Sequence, residues 1–211
     1  MTLPGPLPHD WGATSSLDLI NSRWSDHLGS GRYYDRLPDS RFRVAFLKRW
    51  SYRVDDPDDA SAVSRLHSLR ASLRNLLEQY MSGRPLRRAT LHGVEAEMNR
   101  APIGLRFRRD RDVYSLSIEH VGSGWDATTS DIAMSAARLI SGRATIRVCA
   151  NPDCSWMFED ATRSKTRRWC NVSVCGSLVN VRRHRANLRL DQPSTETRTR
   201  RRSKWSAHAK A

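Results

Sequence analysis

The chain has 211 residues, with 36 Lys/Arg against 22 Asp/Glu and a formal net charge of +14. That length allows one or two domains with a real core; no apolar run approaches the roughly 18 residues of a membrane span, which excludes a helical membrane protein. Charge is uneven: residues 141–211 hold 16 Lys/Arg against 5 Asp/Glu, whereas residues 1–140 hold 20 against 17. Such asymmetry points to a polyanion as the partner of the C-terminal third.

Residues 1–13 are rich in Pro and Gly and are expected to be loose. Met1 to Gly12 shows neither a basic n-region nor an apolar h-region, so a cytoplasmic protein is expected. From Ser15 or Ser16 as a cap, Leu17, Ile20, Trp24 and Leu28 recur at helical spacing. Tyr33 to Ser40 reads as loop, and Phe42, Ala45, Phe46 and Trp50 as a second, shorter helix. Asp55-Asp56-Pro57-Asp58-Asp59 is the clearest helix start, combining a capping Asp, proline in the first turn and acidic residues at the positive end of the dipole. The helix that follows carries Val63, Leu66, Leu69, Leu73, Leu76, Leu77 and Tyr80 on one stripe, with Arg65, Arg70 and Arg74 opposite, and ends near Ser82-Gly83.

Leu91, Val94 and Met98 suggest another helix. Ile103, Leu105 and Phe107, then Tyr114, Leu116 and Ile118, alternate with period two around Arg109-Asp110-Arg111-Asp112, the pattern of a hairpin. A helix from about Thr129 to Ile140 is broken by Ser141-Gly142, and Ile146 and Val148 form a short strand. Leu178, Val181 and Leu188 give a thin apolar stripe on a helix otherwise rich in arginine. From Gln192 the composition predicts a disordered tail, in which Trp205 alone is a candidate to dock.

The four cysteines fall in two pairs, Cys149-x4-Cys154 and Cys170-x4-Cys175, separated by fifteen residues. Two short-spaced thiolate pairs joined by a loop suit tetrahedral Zn²⁺ with all four positions filled, a structural rather than catalytic site. Asn151-Pro152-Asp153 is turn chemistry, and Gly176 after the last cysteine can adopt φ > 0. Two disulfides would need an oxidising compartment. An iron–sulfur cluster also takes four thiolates, and two reduced, unligated pairs fit the same spacing. Between and beyond the pairs lie Arg163, Lys165, Arg167 and Arg168, then Arg182, Arg183, His184, Arg185 and Arg189, with Trp156, Phe158 and Trp169 interleaved. Arginine forks match phosphate, although a solvated basic face gives the same composition.

No catalytic constellation is visible. His9, His27, His67, His92, His120, His184 and His208 are scattered, and neither a Gly-x-Ser-x-Gly elbow nor a phosphate-binding glycine loop occurs. Asp18 and Asn21 in the first helix read as structural polar residues ahead of pocket residues.

The run Arg147-Val-Cys-Ala-Asn-Pro-Asp-Cys-Ser-Trp-Met-Phe-Glu-Asp, then Arg167-Arg-Trp-Cys-Asn-Val-Ser-Val-Cys-Gly and Arg182-Arg-His-Arg, resembles the CGNR zinc-finger family of bacterial zinc-ribbon-like proteins. Leu17-Asp-Leu-Ile-Asn-Ser and the Leu/Arg-rich helix at 66–77 resemble the stress-induced transcription regulator-like helical domain that precedes this finger. The resemblance spans about residues 14–189 and implies a DNA- or RNA-binding finger beside a regulatory domain. Where the family reads Cys-Gly-Asn-Arg, this chain reads Cys175-Gly176-Ser177-Leu178, so one arginine is missing.

The expected fold is therefore α+β, mainly α. A helical regulatory or ligand-sensing-like domain with a β-hairpin spans 14–142, a four-cysteine zinc-ribbon-like finger with a basic helix spans 143–190, and a disordered basic tail spans 191–211. The expected function is that of a zinc-dependent nucleic-acid-binding protein, a cytoplasmic bacterial transcription regulator and not an enzyme. It would hold one structural Zn²⁺ on Cys149, Cys154, Cys170 and Cys175 and use Arg163, Lys165, Arg167, Arg168, Arg182, Arg183 and Arg185 on DNA ahead of RNA. The competing reading is a ligand-sensing or protein-interaction module with the finger as scaffold. A small-molecule effector and a homodimer stay open as partners.

Overall fold

The computed structural model describes residues 12–190. The expectations placed on the N-terminal segment, the tail and Trp205 lie outside the described residues. Helix α1, Ser15–Asn21, is capped by Thr14, whose side chain accepts from Leu17 N–H. Every residue of α1 is buried, so it runs through the core rather than over it. It stops at Asn21, short of the expected Leu28. Trp24 instead sits in strand β1, Arg23–Ser25, which pairs antiparallel with β2, Tyr33–Asp35, inside the stretch expected to be loop.

Helix α2, Ser40–Arg49, starts at a capping Asp39. Helix α3, Ala60–Met81, is the spine: Leu66, Leu69, Leu73, Leu76 and Leu77 are buried along one stripe. Its cap is Asp59, which accepts from Ala62 N–H at 2.8 Å, so Pro57 precedes the helix instead of filling its first turn. Arg70 departs from the expected solvent face. It is buried and forks onto Asp35 at 2.7 and 2.6 Å while donating to Ser22 Oγ at 2.8 Å. A buried guanidinium is tolerable only when so paired, and this pairing fastens β2 to α3.

Helix α4, Arg88–Met98, covers α3 and α5. Strands β3, Ile103–Asp110, and β4, Val113–His120, form the expected hairpin, with Leu105 opposite Ile118 and Phe107 opposite Leu116. Arg111 turns it at φ 53°. Helix α5, Trp125–Ser141, begins four residues before the expected Thr129. Strands β5, Ile146–Val148, and β6, Met157–Glu159, make a third antiparallel ribbon. A π-helical turn at Val172–Gly176 leads into α6, Ser177–Leu190.

Helices α1, α3 and α5 pack on one another around a single large core. Ile146 and Met157, from the ribbon that carries the first cysteine pair, belong to that core. A second, smaller cluster joins Trp24 to Trp156, Phe158 and the four cysteines. The two sequence segments expected to form separate domains therefore share side chains in both cores. Among the described residues no helix is long and apolar enough to cross a membrane.

Candidate zinc centre and basic surface

The four cysteine sulfurs lie within 4.8 Å of one another and all four side chains are buried. Cys154 and Cys170 sulfurs are 3.8 Å apart, and those of Cys170 and Cys175 are 3.6 Å apart. A tetrahedral zinc with bonds of about 2.3 Å has sulfur–sulfur edges of about 3.8 Å, whereas a disulfide needs about 2.05 Å. Donor set and spacing fit one closed structural Zn²⁺ site. Hydrogen bonds between these crowded thiols pull Cys149 down from the usual thiol range and push Cys154 and Cys170 up, so a cation entering the cluster must displace protons.

Local chemistry builds both halves of the site. Cys149 N–H donates to the Trp156 carbonyl at 2.9 Å, carrying the β5–β6 ladder one step further. The Asn151-Pro152-Asp153 turn forms as expected, with Cys154 N–H on the Asn151 carbonyl at 2.9 Å and Asp153 N–H on Asn151 Oδ1 at 3.2 Å. Asn151 Nδ2 then donates to the His27 carbonyl at 3.0 Å and to Cys175 Sγ at 3.7 Å. Outer hydrogen bonds of this kind fix thiolate orientation. In the second half, Asn171 Oδ1 accepts from Val174 N–H and its carbonyl from Cys175 and Gly176. Gly176 is not in the left-handed region. A Cβ there would stand 3.0 Å from Cδ1 of the Trp169 ring and would push on it, so close approach of the ring favours glycine.

The loop between the pairs is organised by Asp160, a buried carboxylate that sequence reasoning did not single out. It accepts from Arg147 Nε at 3.2 Å, Thr162 N–H at 3.1 Å and Arg167 N–H at 2.9 Å. Lys165 Nζ donates to the Asp160 carbonyl at 2.8 Å. Arg167 lies 4.6 Å over the Phe158 ring and donates to the carbonyls of Trp169, at 2.9 Å, and Cys170. Arg182 pairs with Asp153 and donates to the Leu28 carbonyl at 2.6 Å. Lys165 and Arg167 are thus tied to carbonyls of the finger, with Lys165 still exposed, and Arg182 is tied to the Asp153 carboxylate and to a carbonyl of the upstream domain.

Arg163, Arg168, Arg183 and Arg185 are exposed. Arg168 stacks 5.1 Å from the Trp169 ring. Trp156 and Phe158 are buried in the cluster around the cysteines, so of the interleaved aromatics only Trp169 retains exposed surface. Leu178 is half-buried at the start of α6.

The finger is joined to the helices by residues missed from sequence. Trp24 fills the apolar side of the cysteine cluster and meets Tyr34 at 5.3 Å between ring centroids. Ser25 N–H donates to Ser155 Oγ at 2.9 Å, and Arg74 of α3 reaches the Ser155 carbonyl. The only sequence signal was the place of Trp24 on the apolar stripe at helical spacing, with Asn21 a polar residue near it.

No curated protein matches this chain. Residues 145–187 match the family described as CGNR zinc finger, and residues 14–143 match ABATE, "Putative stress-induced transcription regulator". With more than half of its residues matched by the second, the chain belongs to the ABATE family and carries a CGNR zinc finger behind that domain.

Proposed function

We propose that this protein is a cytoplasmic transcription regulator that binds DNA through α6 and the exposed arginines of its zinc loop, without a catalytic role. The observation that carries the reading is the placement of α6. The helix starts directly after the turn that holds Cys175, contains no acidic residue and exposes every side chain from Arg183 to Leu188. Fourteen residues make a rod about 21 Å long, of a size and charge that suit the major groove. Zinc would set the angle at which this rod leaves the body. Arg163 and Arg168 add phosphate contacts, which supply affinity without sequence information.

Fluorescence anisotropy with labelled duplex DNA and matched RNA tests this. Binding should be tighter to the duplex DNA, should weaken steeply from about 50 to 200 mM salt, and should vanish when zinc is chelated. The competing interaction-module reading draws on the apolar face of the β3–β4 hairpin, where Leu105, Phe107 and Leu116 are exposed. It requires no nucleic-acid binding and association that is indifferent to salt.

A further inference from the structure

We infer that the cleft between β4, the start of α5 and the Trp50–Arg53 segment is a binding site for a small organic monoanion with an apolar body. The cleft encloses about 920 Å³, near the upper end of the usual range for small-molecule sites. It is distinct from the zinc centre, and the DNA-binding reading makes no use of it.

Charge in the cleft is almost balanced, with one cation left over. Arg108 pairs with Glu119 at 2.6 Å. Arg138 lies 3.8 Å from Asp131 and donates to the Ile118 carbonyl at 2.9 Å. Arg53 also lines the cleft, and among the described residues its guanidinium has neither an ion pair nor a hydrogen bond. Its carbonyl accepts from Gly124 N–H at 2.7 Å, which fixes the residue against the start of α5. That helix start has glycine at the capping position and, among the described residues, no side-chain cap on its first turn. Asp126, the acidic residue of its first turn, is drawn to Arg65 at 2.5 Å. The local field thus favours one negative charge.

A second observation is independent of that field. His120 lines the same cleft with both ring nitrogens buried and, among the described residues, without a hydrogen-bond partner. Buried polar atoms are nearly always satisfied, and leaving two unpaired is costly. Both nitrogens are closed off from the cleft as the ring now stands, so a turn of the imidazole toward the cleft is what lets a ligand heteroatom supply the missing partner. Trp50, Leu116 and Ile118 give the apolar wall. Tyr52, whose hydroxyl contacts Asp131 and Ser15 at 2.8 Å each, is held rigidly at the floor. Rigid apolar walls with few convergent polar groups select an amphipathic organic anion over inorganic phosphate.

The test uses the zinc-loaded full chain titrated with 1-anilinonaphthalene-8-sulfonate, followed by dye fluorescence. One saturable site is expected, displaced by naphthalene-2-carboxylate but not by the neutral naphthalene-2-carboxamide at equal concentration. Arg53→Gln should weaken dye binding about tenfold, the size of a lost charge-assisted hydrogen bond, while Arg53→Lys retains most of it. His120→Phe should also weaken it about tenfold, through the lost partner for the ligand heteroatom. Phe107→Ser, on the exposed face of the hairpin, should leave it unchanged. Circular dichroism checks that each variant folds, and if His120→Phe does not, the exposed Arg53 pair decides alone. Binding that survives Arg53→Gln, that the carboxamide displaces equally, or that Phe107→Ser abolishes would overturn the assignment.

Discussion

Asn21, the last residue of α1, pairs with both backbone groups of Met157. Its Nδ2 donates to the Met157 carbonyl at 2.8 Å, and its Oδ1 accepts the Met157 N–H at 2.8 Å. Both residues are buried. The amide stands where a neighbouring strand would stand for β6, and it locks the finger's first ribbon to the helical core. Asn21→Leu removes both partners at once and leaves a buried donor and acceptor unpaired. At about 1–3 kcal/mol for each group, the loss should be about 2–6 kcal/mol in urea denaturation. A near-neutral result would mean that β6 is held by its apolar contacts alone.

The shared cores change what removal of zinc should do. Cys170→Ser should abolish the single zinc per chain seen by native mass spectrometry, because the remaining thiolates no longer close the tetrahedron. Trp24 belongs to the cysteine cluster, so loss of hydrogen-exchange protection should spread beyond residues 143–190 to Trp24 and the β1–β2 ribbon. Helices α3, α4 and α5 have their own apolar core and should keep their protection. Protection retained around Trp24 would show that its burial does not depend on the metal.

The main features were legible where one local signal decides them. The paired cysteines gave the metal centre, the Leu stripe gave α3, and alternation around Arg109–Asp112 gave the hairpin. What sequence could not reveal depends on contacts between distant residues. Helical periodicity carried α1 on to Leu28, because Trp24 is apolar at the right spacing. Its burial is instead against Trp156 and the cysteines, far along the chain. Arg70 looked like a surface residue because its partner Asp35 lies in another element. Arg167 and Arg182 looked available to phosphate because composition does not say which carbonyls lie within reach.

Stability should show two opposing carboxylate effects below neutral pH. Asp18 is buried within α1, and that burial pushes its pKa up to about 6 despite hydrogen bonds from Gly12 and Trp50. For a carboxyl raised on folding, the native state binds the proton more tightly, so its contribution falls as pH rises from about 4 through 6. Asp35 is opposite: burial would raise it, but the Arg70 fork and the Leu37 N–H hold it below the usual range. Its contribution is present above about pH 4 and is lost on further acidification. Asp18→Asn keeps an acceptor for Trp50 and should flatten the dependence between about pH 4 and 6, read as the denaturation midpoint across pH. Asp35→Asn should destabilise at about pH 7 and much less at about pH 3. An unchanged pH profile in Asp18→Asn would assign that dependence to other groups.

The basic surface divides into cations that hold the finger and cations that face solvent, and mutation should separate them. Arg183 and Arg185 are exposed on α6. Changing both to Ala should reduce DNA affinity about equally for all sequences and flatten the log-affinity versus log-salt slope by about 2, since each neutralised phosphate contributes about 0.9. Zinc content and thermal midpoint should be unaltered. Arg167→Ala removes donors to the Trp169 and Cys170 carbonyls and the stack on Phe158. It should lower the thermal midpoint and loosen zinc before it changes the salt slope. Leu178 occupies the position of the family arginine and is half-buried, so Leu178→Arg tests whether the start of α6 faces the polyanion. A steeper slope with tighter binding is expected. If Arg183→Ala/Arg185→Ala binds like the parent, α6 is not the reading helix, and its charge is only a solvated face.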